Sequence, residues 1–222
     1  LNTKCLIVGA GGLGCPVGLY TSAAGFGYIE IWDEDTIEIT NLNRQIAHKT
    51  NKIGYNKAEN LAKECLKINP NITVRFQSSN FDISKDINIF DIIFDCSDNQ
   101  ETKYALNYLS HKHKKILISG SAVQMEGQLS VLKSGLNNTL PCYECIFPKT
   151  TDKAPITNCR EAGIIGSITA FIASMQVSEA IKEIALLNYT SIAGYLILYD
   201  GFSQSLDKIK ITKKNNCLIC ST

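Results

Sequence analysis

Three glycines at the spacing Gly-x-Gly-x-x-Gly are the first residues whose pattern suggests chemistry. Gly9, Gly11 and Gly14 follow an apolar run, Lys4–Val8, that is typical of a buried strand, and a helix-like stretch follows them. Glycines in such a loop let the backbone approach a phosphate, and the start of the next helix presents free N–H groups to the anion. Asp33 stands 19 residues after Gly14, where a carboxylate can accept hydrogen bonds from ribose hydroxyls. Together these features predict a nucleotide site.

Further charged residues exceed what a dinucleotide site needs. Arg44 and Lys57 follow the first strand–helix–strand unit, and Asp98 and Asn99 follow another apolar strand, Asp91–Asp95. Ligands of parallel α/β sheets bind at the carboxyl edge, so these side chains are expected to meet there. Two cations offset charge on phosphate and a carboxylate holds Mg²⁺, which together suit a nucleoside triphosphate. The glycine loop and its acidic partner alone also fit a dinucleotide-binding oxidoreductase, which is the rival interpretation.

Four of the nine cysteines form two Cys-x-x-Cys pairs, Cys142 with Cys145 and Cys217 with Cys220. Four thiolates are enough for a closed tetrahedral structural zinc site. The 71 residues between the pairs exceed the usual spacing of a zinc ribbon, and a redox disulfide is the alternative. An odd number of cysteines, with four in such pairs, indicates a reducing compartment, so we expect a cytoplasmic protein.

Cys159 stands apart from these pairs, ahead of a predicted long helix and next to Arg160. Both surroundings lower the pKa of a thiol, so a reactive nucleophile is one interpretation and an inert loop cysteine is the other. The other cysteines are expected in the core, and the three histidines receive no role because they have no partners at ligand spacing. These residues are Cys5, Cys15, Cys65, Cys96, His48, His111 and His113.

Strands and helices alternate through the first 121 residues, which predicts a Rossmann-like α/β fold with a mostly parallel sheet and helices on both faces. Beyond that point we expect an antiparallel extension carrying the zinc site: a strand at 127–133, a long helix at about 161–187 and a closing hairpin at 195–212. We also expect a capping box in which Asp98 begins a helix and Glu101 lies three residues on. One domain over 1–222 is predicted, with a nucleotide-binding half at 1–121 and a second half at 122–222.

Composition excludes several classes of protein. The chain has 22 basic and 21 acidic residues, which is not the basic excess of a typical nucleic-acid-binding protein. No apolar run reaches the length of a membrane span. The predicted partners therefore include neither nucleic acid nor a membrane.

Leu1 stands where a methionine would open a chain, and a strand begins almost at once, so the sequence is expected to be a fragment.

In combination and order, these motifs resemble those of the ThiF/MoeB family, bacterial relatives of ubiquitin-activating enzymes that adenylate sulfur-carrier proteins. The resemblance covers essentially the whole chain. The segments that carry it are Gly9–Gly14, Asp33–Asp35, Asn41–Gln45, Lys57, Asp95–Asn99, Gly127–Gln128, Pro141–Cys145, Asn158–Gly163 and Cys217–Cys220.

The resemblance implies an ATP site. In the family's pattern Gly12 lies against the nucleotide, Asp33 on the ribose, Arg44 and Lys57 on the phosphates, and Asp98 on the magnesium. Asn41, Asn43 and Asn99 lie nearby. The paired cysteines would be the structural zinc ligands, and Cys159 matches the cysteine proposed for thiol chemistry with the carrier.

The resemblance also implies partners. The substrate would be a small ubiquitin-like sulfur-carrier protein ending in Gly-Gly and bound by the second half of the chain, for thiamine or molybdopterin biosynthesis. A cysteine desulfurase or a rhodanese would supply sulfur, and the family forms homodimers. The family normally carries an N-terminal helical segment with an arginine that reaches the partner's active site, and this segment is not in the sequence given. A catalytically inactive adaptor subunit of a heterodimer is a third interpretation.

Overall fold

A computed structural model describes residues 2–149, 163–186 and 188–221. Its central feature is an eight-stranded sheet in the order β3-β2-β1-β4-β5-β6-β7-β8. The first five strands along this order run parallel, and the last three are joined by antiparallel pairing. The prediction of a mostly parallel Rossmann-like sheet with an antiparallel extension is confirmed.

The parallel part is built from alternating strands and helices, as the sequence pattern predicts. Its elements are β1 (Lys4–Val8), α1 (Gly14–Ala23), β2 (Tyr28–Trp32), α2 (Lys57–Ile68), β3 (Thr73–Gln77), β4 (Ile92–Asp95), α3 (Gln100–Lys112) and β5 (Ile116–Val123). Short 3-10 turns at Ile39–Asn41 and Thr50–Lys52 lie between β2 and α2.

The antiparallel part continues the same sheet. Its elements are β6 (Glu126–Leu132), α4 (Tyr143–Ile146), α5 (Gly166–Ala185), β7 (Tyr195–Asp200) and β8 (Ser205–Lys210). The last two strands form the predicted hairpin, with Asp200 opposite Ser205. Among the described residues, no helix combines the length and the apolarity that crossing a membrane requires.

Apolar side chains cover both faces of the sheet because successive residues of a strand point to opposite sides. Along β1, Cys5 and Ile7 belong to a core with α1, α2 and α5, whereas Leu6 and Val8 belong to a second core with α3. The predicted helices on both faces are thus confirmed. Cys5, Cys15, Cys65 and Cys96 are all buried, as expected.

Two sequence predictions about helix starts are wrong. Helix α5 begins at Gly166 rather than near residue 161, since Gly163 has a φ of +73° and Ile164 pairs with Gln124 as a bridge. Helix α3 is not capped by Asp98. Its N-cap is Asn99, whose side chain accepts a hydrogen bond from the N–H of Thr102 at 2.8 Å.

Candidate nucleotide site and cysteine cluster

Sheet register brings three predicted segments together at the carboxyl edge. Val8 at the end of β1 pairs with Trp32 of β2 on one side and with Asp95 of β4 on the other. The residues that follow these three are the glycine loop, Asp33 and the segment leading to Asp98. Because β1 lies inside the sheet and the chain continues to β2 on one side and later to β4 on the other, this is the topological switch point, where open α/β sheets bind ligands.

The glycine loop is shaped by close backbone approaches. Gly9 has a φ of +99°, and a Cβ at this position would lie 2.5 Å from the carbonyl oxygen of Cys96. A Cβ on Gly14 would overlap the carbonyl oxygen of Gly9. Neither position therefore accepts a side chain. At Gly12 a Cβ would lie 3.1 Å from Cγ2 of Thr169, so this glycine also lets α5 pack closely on the loop.

Asp33 lies at the carboxyl edge of the sheet and also anchors the glycine loop through hydrogen bonds. Its Oδ2 accepts a hydrogen bond from the N–H of Ala10 at 2.6 Å, and its Oδ1 accepts one from the N–H of Asp35 at 2.9 Å. Burial raises the pKa of the Asp33 carboxyl, whereas the N–H of Ala10 and the charge of Lys57 act in the opposite direction. The carboxylate that the sequence predicts to bind ribose therefore also accepts a structural hydrogen bond from the glycine loop.

Lys57 is the first residue of α2 and is buried, with 6% of its surface exposed. Its Nζ lies 2.7 Å from Oδ2 of Asp35, a carboxylate whose side chain is 43% exposed. The backbone N–H of Lys57 also bonds to the carbonyl of Asp35 at 2.9 Å. The ammonium group is thus fixed beside Asp33 and Asp35, at the same edge as the glycine loop.

Arg44 lies on the loop that links β2 to α2. Its Nη1 donates to the carbonyl oxygen of Thr40 at 3.1 Å and to Oδ1 of Asn43 at 2.9 Å. The backbone of Asn43 and Arg44 packs so closely on the start of α5 that a Cβ on Gly166 would lie 2.6 Å from the Asn43 carbonyl oxygen. Asn41 is buried and its Oδ1 accepts from the N–H of Glu38.

Asp98 is exposed where β4 gives way to α3, beyond a buried polar network. In that network Asp95 accepts from Nζ of Lys103 at 2.9 Å and from the hydroxyls of Ser97 and Ser119, each at 2.6 Å. The side chain of Asn99, predicted to lie near the nucleotide, has its oxygen engaged in the cap of α3. The network sets the path of the segment that carries Asp98.

Sequence reasoning assigned no role to two residues that lie beside the glycine loop, Gln45 and His48. Gln45 is 3% exposed, its amide nitrogen lies 3.6 Å from the position of a Cβ on Gly11, and its Oε1 has no hydrogen-bond partner among the described residues. A buried amide oxygen without a partner is costly, so this side chain is suited to a ligand or its water. His48 contacts the loop directly. Gln45 closes the Asn41–Gln45 segment that carries the family resemblance, whereas His48 has no local sequence signal, because its partners are distant along the chain.

The four paired cysteines converge into one buried cluster. Their sulfur atoms all lie within 4.8 Å of one another. The Sγ atoms of Cys142 and Cys217 are 3.5 Å apart, and so are the Sγ atoms of Cys145 and Cys220. A disulfide needs about 2.05 Å, whereas four thiolates about 2.3 Å from a tetrahedral Zn²⁺ lie about 3.8 Å apart. Each of these two 3.5 Å distances joins a sulfur of one motif to a sulfur of the other. The donor set thus fits a tetrahedral metal site better than a redox disulfide. Cys159 lies outside the described residues.

A Rossmann-like sheet with a glycine-rich loop at its switch point and a four-cysteine cluster defines a class of nucleotide-binding α/β proteins. Within that class, the family model described as the ThiF family matches residues 1–220, and the chain belongs to this family.

Curated relatives agree with this assignment, and a solved structure has a similar fold. The chain is 41% identical over 223 residues to the adenylyltransferase and sulfurtransferase MOCS3 of Caenorhabditis briggsae, and 40% identical over 224 residues to that of Drosophila persimilis. The matches cover 99% of this chain but 55% and 49% of those relatives, so the chain spans about half of their length. The fold is similar to that of E. coli MccB with ATP, with a TM-score of 0.84 at 21% identity, covering 100% of this chain and 68% of the other.

Proposed function

We propose that this chain catalyses the ATP-dependent adenylation of the C-terminal carboxylate of a small ubiquitin-like sulfur-carrier protein ending in Gly-Gly. The observation that carries the proposal is the meeting, at one sheet edge of a ThiF-family chain, of the glycine loop, Asp33, Lys57 and the segment bearing Asp98. Arg44 lies on the segment that packs on the start of α5, next to Gln45, whose amide nitrogen reaches the glycine loop. The MOCS3 relatives, named as adenylyltransferases, support this chemistry.

The mechanism requires positioning and charge neutralisation rather than a general base. A terminal carboxylate has a pKa near 3.5 and is already ionised at neutral pH. One of its oxygens attacks the α-phosphorus of ATP, the bond to the bridging oxygen of the β-phosphate breaks, and pyrophosphate leaves with that electron pair. Lys57 and Arg44 would offset the charge on the phosphates, the glycine loop would orient them, and Asp98 would hold Mg²⁺. Bound magnesium supplies charge neutralisation to the phosphate oxygens.

The cysteine cluster is proposed to hold a structural Zn²⁺ through Cys142, Cys145, Cys217 and Cys220. All four thiols are buried, and thiolates are the ligands that zinc prefers in closed structural sites. Such a site takes no part in the adenylation step. Its contribution is to fix the segment around α4 to the segment that follows β8.

The carrier adenylate is proposed to pass to sulfur chemistry. A thiol or persulfide attacks the mixed anhydride and displaces AMP, and sulfur comes from a cysteine desulfurase or a rhodanese. Cys159 is the candidate nucleophile of this chain. The active assembly is proposed to be a cytoplasmic homodimer, and the pathway to be thiamine or molybdopterin biosynthesis.

ATP–pyrophosphate exchange tests the adenylation proposal. Full-length protein is offered thiamine-type and molybdopterin-type carriers separately, and each carrier is also offered without its terminal Gly-Gly. Exchange that requires the Gly-Gly terminus supports the proposal, and the preferred carrier identifies the pathway. A zinc-loaded dimer that binds ATP but shows no exchange with either carrier would contradict it. A dimer that does not bind ATP would favour the adaptor, and a change in nicotinamide absorbance would favour the oxidoreductase.

Substitution of Cys159 separates the two half-reactions. The Cys159→Ala variant is expected to keep ATP–pyrophosphate exchange and to lose sulfur transfer to the carrier, because adenylation does not use the thiol. Exchange and carrier thiocarboxylate formation are measured on the same preparation. If the folded variant loses exchange, this division of labour is wrong.

A further inference from the structure

The peptide groups around Ala10, in the glycine loop, are held from both sides by side chains. The N–H of Ala10 donates to Asp33, and its carbonyl oxygen lies 3.0 Å from Nε2 of His48. His48 is 5% exposed and arrives from the loop between β2 and α2. The thiol of Cys15 donates to the same carbonyl oxygen at 3.3 Å. Asp33 belongs to the predicted nucleotide site, whereas His48 has no assigned role.

Asn60 fixes the form of the imidazole. Nδ2 of Asn60 donates to the carbonyl oxygen of Ala47 at 3.1 Å and lies 2.9 Å from Nδ1 of His48. A carbonyl oxygen only accepts, so the Asn60 atom facing it is the amide nitrogen, and Nδ1 of His48 must then be the acceptor. The proton of the neutral ring is therefore on Nε2, which donates to the carbonyl of Ala10.

This hydrogen bond sets the direction of a neighbouring donor. The carbonyl of Ala10 and the N–H of Gly11 belong to one planar trans peptide, so they point in opposite directions. Holding the oxygen against His48 turns the Gly11 N–H away from it, to the side where the described residues offer it no acceptor. Glycine on the far side of this peptide gives little resistance to rotation, so the loop needs an external restraint.

We propose that His48 is a positioning residue that presents the Gly11 N–H to a phosphate of the nucleotide, with Asn60 selecting the required tautomer. This inference rests on the proposed nucleotide function. The positive charge of Lys57, at the start of α2, lowers the pKa of His48 and so favours the neutral imidazole. Burial raises the pKa of Cys15 to about 12, so its thiol stays protonated and supplies only a second, weaker donor.

Two substitutions of His48 test the role of the donor. His48→Gln keeps an amide nitrogen at about the place of Nε2, whereas His48→Leu removes the donor and keeps an apolar side chain. ATP affinity is measured by isothermal titration calorimetry, and KM and kcat are measured by exchange. His48→Leu is expected to weaken ATP binding about tenfold or more, the effect of losing one hydrogen bond to a charged group. His48→Gln is expected to stay within about threefold of the parent, a smaller loss than that of one such bond.

A matched control corrects for general loss of stability. Tyr189→Phe removes a hydrogen bond to the carboxylate of Glu183, whose side chain is 2% exposed. Glu183 also pairs with Lys133, the residue that follows β6, and this region lies away from the glycine loop. Its thermal midpoint is expected to fall without a change in ATP affinity.

Three outcomes decide the proposal. The proposal is supported if His48→Leu binds ATP more weakly, His48→Gln binds it nearly as well as the parent, and Tyr189→Phe binds it as well as the parent. Equal affinity in parent and His48→Leu, or equal losses in both His48 variants, overturn it and leave the nucleotide function intact. A folded parent protein that binds no ATP overturns the nucleotide function and this inference together.

Discussion

Single residues at the edge of the sheet combine structural and chemical tasks. Asp33 accepts two backbone hydrogen bonds within its own neighbourhood, and Lys57 pairs with Asp35. Asp98 is different, since it is exposed at the end of a segment whose path is set by the buried network below. Changes at Asp98 therefore test chemistry with little cost to folding.

Asp98→Asn is the cleanest test of the proposed magnesium ligand. Loss of one ionised oxygen ligand is expected to lower the rate of ATP–pyrophosphate exchange about 10²- to 10³-fold, by analogy with other lost transition-state contacts. The free energy of unfolding is expected to stay within about 0.5 kcal/mol, as for most exposed substitutions. Asp86→Asn, another exposed carboxylate, serves as the control. Exchange at the parental rate would remove Asp98 from the mechanism.

His48 also makes a specific contribution to pH dependence. Burial lowers its pKa, the charge of Lys57 lowers it further, and the carbonyl of Ala10 and Glu64 act in the opposite direction. Between this lowered value and about 6.5, the unfolded chain binds a proton that the folded chain does not. The free energy of unfolding is therefore expected to fall as pH decreases through this window.

Urea unfolding at pH 7.5 and 5.5 measures this contribution. His48→Gln cannot titrate, so its loss of stability between the two pH values is expected to be smaller than that of the parent. Burial also lowers the pKa of His111, which is present in both proteins and cancels in the comparison. An unchanged difference between the two pH values would show that His48 does not titrate in this way.

At the scale of elements, one buried ion pair joins the strands and the helix that carry the Asp98 segment. Asp95 ends β4, and Lys103 of α3 reaches both Asp95 and the carbonyl oxygen of Gly120 in β5, the latter at 3.1 Å. The side chains are 1% and 8% exposed. Because both charges are paired and hydrogen-bonded, the network holds three elements in register at the carboxyl edge.

Lys103→Met is expected to destabilise the fold by about 3–5 kcal/mol, because it leaves the carboxylate of Asp95 buried without its cation. The double change Asp95→Asn with Lys103→Met is expected to recover part of that loss. Lys63→Met breaks an exposed pair with Glu59 on α2 and is expected to cost about 0.5 kcal/mol or less. Denaturant unfolding compares all three, and equal effects of the two single changes would contradict this account.

At the scale of the whole molecule, the cysteine cluster joins the segment around α4 to the segment that follows β8. The N–H of Tyr143 in α4 donates to Oδ1 of Asn107 at 2.8 Å, which ties the segment that carries Cys142 and Cys145 to helix α3. The N–H of Lys214 donates to Sγ of Cys145 at 3.4 Å. A metal held there would fix the residues after β8 against the body of the protein.

Cys217→Ser is expected to lower bound zinc and to make the segment after β8 sensitive to protease, since one of four ligands is lost. Ser221→Ala is the control, because Ser221 lies next to the cluster but is not one of the four proposed zinc ligands, and this variant is expected to keep the metal. Metal content by mass spectrometry and the thiolate-to-cobalt absorption of the Co²⁺-substituted protein report the site. Parental zinc content in Cys217→Ser would overturn the ligand assignment.

Much of the fold follows from local patterns, and the errors have local causes. Strand β1 was predicted with its observed bounds, since a short apolar run ends at the glycine loop. The start of α5 was misplaced because a left-handed Gly163 interrupts an otherwise helical pattern. The cap of α3 was assigned to Asp98 because Asp and Asn both suit this position, and only the backbone path distinguishes them. The division of the chain at residue 121 stays a prediction.

By itself, the sequence determined the type of fold, the glycine loop, its acidic partner and the two cysteine pairs, because each depends on short spacing and periodicity. Only the tertiary structure decided that the cysteine pairs converge, that Lys57 is buried against Asp35, and that His48 and Asn60 hold the glycine loop. These contacts join residues 12 to 75 positions apart in sequence. They depend on which strands pair and which helices pack, and no local pattern encodes that information.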